Sequence, residues 1–65
     1  MKNVTKLTSV NVLEEVYNKF KVNVINEEIN LQKLVNRSLD LYNNDESFRN
    51  KINEHDKLTT SGTKF

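Results

Sequence analysis

Catalysis needs groups that ionise, bind metal or attack, and this chain holds few of them in useful combinations. Its one histidine, His55, stands alone in a polar stretch, and cysteine is absent. Neither a His/Cys metal set nor a disulfide can therefore form. Gly62 is the only glycine, which rules out a glycine-rich phosphate loop, and no nucleophile sits in an evident pairing with a base. A chain this short also rarely encloses a pocket. No cofactor, no metal and no enzymatic activity are expected. What remains is hydrogen bonding and surface charge. Residues 1–12 carry Lys2 and Lys6 with no acid, whereas residues 13–29 set Glu14, Glu15, Glu27 and Glu28 against Lys19 and Lys21. Residues 30–43 set Lys33 and Arg37 against Asp40, and the remainder is balanced. The net charge is only +1, so the uneven distribution says more than the total, and the positive end is the N-terminus.

Those residues need elements to hold them. Residues 4–12 read V-T-K-L-T-S-V-N-V, rich in β-branched side chains, with Val10 and Val12 alternating against Ser9 and Asn11. This pattern predicts a strand, the only one in the chain. From about 13 to 29 the period becomes helical: Leu13, Val16, Tyr17, Phe20, Val24 and Ile25 form an amphipathic stripe, Glu14 and Glu15 suit a first turn, and Val22 falls off the stripe. Asn30 is a suitable N-cap for a second helix with the stripe Leu31, Leu34, Val35, Ser38, Leu39 and Tyr42, flanked by Leu41 and ended near Asn43-Asn44. Phe48 and Ile52 lie four apart, so residues 45–55 extend that helix or form a short third one, and the polar end beyond 55 is expected to be disordered.

Size completes the first part of the case. A domain of about 60 residues buries only about 60% of its unfolded surface and commonly needs disulfides, metal or a partner. With the first two excluded, self-association is the expected source of further core, and a lone strand needs a mate from a second copy. The mix of asparagine, lysine and isoleucine is what AT-rich coding gives, as in many phages and low-GC bacteria. No apolar run approaches a membrane span, so a cytoplasmic location is expected and no membrane partner.

Strand, helix, turn, helix is also the order of the ribbon-helix-helix (MetJ/Arc-type) DNA-binding superfamily. Residues 10–29, V-N-V-L-E-E-V-Y-N-K-F-K-V-N-V-I-N-E-E-I, resemble its strand end and first helix. Residues 30–42, N-L-Q-K-L-V-N-R-S-L-D-L-Y, resemble its second helix, with Leu34-Val35, Ser38, Leu39 and Tyr42 in the characteristic slots. The likeness covers residues 4–43. Proline and glycine, common at the first helix start and the interhelix turn, are replaced here by Leu13 and Glu28.

The resemblance implies a mainly α fold with one short N-terminal strand, intertwined as a homodimer around an intermolecular antiparallel two-stranded sheet. Residues 1–43 would be the DNA-binding and dimerisation domain and 44–65 a C-terminal extension, partly helical to about 55. The paired ribbon would enter the major groove with Leu7, Ser9 and Asn11 facing the bases: Asn11 toward adenine, Leu7 toward a thymine methyl. Asn11 could instead form a capping box with Glu14. Phosphates would be held by the backbone at Asn30 and Leu31, with Lys33, Lys2 and Lys6 adding charge. Val10, Val12, Val16, Tyr17, Phe20, Val24, Leu31, Leu34, Val35, Leu39 and Tyr42 would form the core and dimer interface. The implied function is a sequence-specific transcriptional regulator, a repressor bound to double-stranded DNA. The competing reading is an antitoxin or small phage protein that grips a partner protein through residues 44–65.

Overall fold

The computed structural model describes residues 4–65, and the expected Lys2 contact lies outside them. The chain forms three helices, α1 (Glu14–Asn23), α2 (Leu31–Asn44) and α3 (Glu46–Glu54). No strand is present among the described residues, so the fold is all-helical and the expected ribbon-helix-helix architecture, with its intermolecular sheet, is corrected. The physical reason is visible in residues 4–12. They make no hydrogen bond to the described remainder of the chain, and Val4, Leu7 and Val10 are 94%, 99% and 75% exposed. Alternation of β-branched residues records a preference, and only a ladder partner turns that preference into a strand. This chain supplies none.

Leu13 (φ −58°, ψ 133°) stands at the N-cap of α1 and gives no side-chain cap, so the Asn11–Glu14 capping box does not form. The helix also stops earlier than its apolar period implies. Val24 leaves the helix (φ −99°, ψ 5°), and turn bonds from Ile25 N–H to Val22 O (3.3 Å) and from Glu27 N–H to Val24 O (3.0 Å) take over. Val22, Val24 and Ile25 are β-branched and interleaved with Asn23 and Asn26, a poor composition for extending a helix. The loop that follows turns without a left-handed residue; among the described residues only Gly62 has positive φ, at 68°.

Asn30 caps α2 as its position predicts, its Oδ1 accepting from Lys33 N–H at 2.8 Å. At the far end, Asp45 is the single residue between α2 and α3. Its backbone is extended (φ −119°, ψ 104°), and its carboxylate caps α3 by accepting from Phe48 N–H at 3.2 Å. α2 and α3 are the only helices in contact among the described residues. Past α3, residues 58–63 close a turn through Leu58 N–H to Thr63 O (2.8 Å) and Gly62 N–H to Leu58 O (2.6 Å).

No described side chain is buried. A folded monomer of 7.6 kDa exposes about 4,300 Å² by the size scaling of globular proteins. This chain exposes 6354 Å². Its radius of gyration, 13.5 Å, likewise exceeds the ~11 Å of a compact chain of this length.

Candidate nucleic-acid interface

The base-reading residues expected from sequence, Leu7, Ser9 and Asn11, all lie in the irregular N-terminal segment and are exposed. No rigid element presents them as a common face. They belong instead to an arm, with Lys6 as its described cation and no acid before Glu14. The carbonyl and amide groups of that arm are in water together with the side chains of Thr5, Thr8, Ser9 and Asn11. It is a polar, cationic tape with every donor and acceptor open.

The second expected contact is the N-terminus of α2. Its first turn holds no acidic residue, which leaves the helix dipole uncompensated there. Asn30 Oδ1 occupies Lys33 N–H, while the Lys33 ammonium leans back onto Glu28 O at 3.4 Å. Glu27 and Glu28 immediately precede this end, and their carboxylates oppose an incoming phosphate. Asn30, Leu31 and Lys33 are thus adjacent, and the arm is more exposed than they are. No Cα of α1, which lies between the arm and α2 in the chain, comes within 8 Å of α2 or α3.

The residues expected to form the core and dimer face remain partly or largely open. Val12, Tyr17, Leu31, Leu34, Val35 and Leu39 are exposed, and Val16, Phe20, Val24 and Tyr42 are half-buried. Tyr42 is engaged by polar neighbours: its hydroxyl donates to Asn53 Oδ1 at 2.9 Å, and the Arg49 guanidinium lies 5.7 Å from its ring centre. Tyr17 is similarly covered by the Lys21 ammonium at 5.5 Å.

Sequence reasoning missed Arg49. Its Nε donates to Tyr42 O at 2.9 Å and its Nη2 to Asn43 O at 3.1 Å, so one guanidinium satisfies two carbonyls that the end of α2 leaves open. The readable signal was Asp45 beside Asn43-Asn44, a helix end followed at once by a fresh N-cap.

Among the described residues no group of acidic or histidine side chains is placed to hold a metal ion. Among the described residues, shallow surface depressions are bordered by Asn18, Lys19, Val22 and Asn23 and by Asn36, Arg37, Asp40 and Leu41. No described helix is long and apolar enough to cross a membrane. Compared with family models, curated proteins and solved structures, the chain matches none.

Proposed function

We propose that this protein is a DNA-binding transcriptional regulator that acts as a pair of identical chains. The observation that carries the reading is the N-terminal arm: residues 4–12 are acid-free, exposed and without a hydrogen bond to the rest of the described chain. Lys6 suits the phosphate backbone, and Asn11, Ser9 and Leu7 offer the side-chain chemistry that base edges accept. The arm orders on the duplex, as basic segments do when they fold on binding. Pairing is supported by area. The surplus over a compact monomer is about 2,000 Å² per chain, within the range that obligate homodimers bury on each partner. The surplus includes the extended arm; the partly exposed stripes on α1 and α2 supply part of its apolar area, and a second copy offers the same stripes in return. With the DNA footprint of one pair so small, useful affinity requires neighbouring sites, and the outcome on a promoter is occlusion.

Mobility shift and footprinting on the DNA upstream of its own gene test this. Asn11→Ala should weaken specific binding by about 1–3 kcal/mol while leaving helix content unchanged. Lys6→Gln should lower affinity on every sequence and reduce the salt slope by about one. Absence of any shift at low ionic strength would refute the DNA reading.

A further inference from the structure

We propose that the joint between α2 and α3 is a two-state element, bent as described or straightened into one continuous helix over residues 31–54. The argument is a hydrogen-bond exchange at Asp45. A continuous helix would carry three bonds across the joint: Glu46 N–H to Tyr42 O, Ser47 N–H to Asn43 O, and Phe48 N–H to Asn44 O. In the bent form none of them exists, and side chains substitute for each in part. Arg49 Nε takes Tyr42 O, Arg49 Nη2 takes Asn43 O, and Asp45 Oδ1 takes Phe48 N–H. The bonds on either side, Asp45 N–H to Leu41 O (2.7 Å) and Arg49 N–H to Asp45 O (3.0 Å), already have helical spacing and survive either way.

Backbone chemistry does not enforce the bend. Residues 42–49 contain neither glycine nor proline, and Asp45 has negative φ, so a rotation of its ψ with a smaller change of φ takes it from the extended to the helical region without entering left-handed space. Two side chains hold the joint from within, Arg49 and Asp45, and Tyr42–Asn53 fastens the far end of α3 to α2. Straightening places Leu31, Leu34, Ser38, Leu41, Asp45, Phe48 and Ile52 at alternating spacings of three and four, a seven-residue seam along one side. Asp45, the one charged residue of that seam, is the residue that favours the bend. The device operates within one chain and does not rest on the DNA reading.

Distance measurement between spin labels at Gln32→Cys and Glu54→Cys tests it in the full chain, which has no native cysteine, diluted with unlabelled protein so that one chain is read. The straight form separates these backbone positions by about 33 Å, and the bent form by much less, because Asn53 reaches back to Tyr42. Asp45→Ala with Arg49→Ala should shift the population to the long distance. An unchanged distance at undiminished helix content would overturn the proposal. If that double variant loses helix, Arg49→Lys decides: lysine cannot fork to two carbonyls, so the long-distance fraction must rise, and no rise rejects the two-state joint.

Discussion

The two halves of the chain are built on different terms. Residues 30–65 are fastened by directional polar bonds: an asparagine cap, an aspartate cap, an arginine forked onto two carbonyls, a tyrosine hydroxyl on Asn53, and a closing turn. Residues 4–29 hold one helix without a side-chain cap, no Cα of which comes within 8 Å of the other two, preceded by an arm with no internal bonds. Both halves carry apolar stripes, and in neither is a side chain buried. Polar bonds alone therefore set a local shape without making a core. An exposed hydrogen bond contributes about 1 kcal/mol or less, whereas covering one large apolar side chain contributes about 1.5–3 kcal/mol. The bend of the second half is held by bonds from inside one chain. The first half needs something to meet.

The sharpest way to break that contrast is a charge on the α1 stripe. Phe20→Asp places an unpaired carboxylate on the face proposed to be covered, at a cost of at least about 3 kcal/mol, or more than a hundredfold in association. Sedimentation should show loss of the pair, and circular dichroism the loss of α1 with α2 and α3 largely kept. Val22→Asp is the control: Val22 lies off the stripe, 66% exposed, and its replacement should leave association unchanged. Equal effects from both substitutions would show that the stripe is not the interface.

Asn30→Ala tests the other half. Removing its side chain strips the cap from Lys33 N–H and should cost about 1 kcal/mol, read as a fall of about 4–8 °C in the melting midpoint. Association per helix should be little altered, because Asn30 is exposed and stands outside the apolar stripe.

How legible each half was follows the same division. α2 could be read almost to the residue, because its cap, its 3.6-residue stripe and its Asn43-Asn44 end are all local signals. The end of α1 was overrun, since Val24 and Ile25 continue the apolar period although their β-branched side chains and the flanking Asn23 and Asn26 favour a turn. The strand could not be settled from pattern at all. Val10 and Val12 alternate with Ser9 and Asn11, yet a strand is a relation between two segments, and the chain contains one. The candidate DNA residues were legible as chemistry, from Lys6 and the absence of acid, but not as a surface, because an irregular arm has no fixed face. Arg49 stayed hidden for a related reason: its two carbonyl bonds depend on the angle at which α3 leaves α2, and no periodicity encodes that angle.

The smallest expected effect probes the end of α3. Tyr42→Phe removes the hydroxyl that donates to Asn53 while keeping the ring under Arg49. Because the bond is exposed, water replaces the hydroxyl at Asn53, and the loss should be about 0.5 kcal/mol, close to the lower limit for an intramolecular hydrogen bond. Its signature is local. Amide exchange should quicken at residues 50–54, where α3 lies against α2, and stay unchanged in α1, which shares no contact with them. Faster exchange in α1 as well would mean that the two halves are coupled, and the division between a self-fastened half and a partner-dependent half would fail.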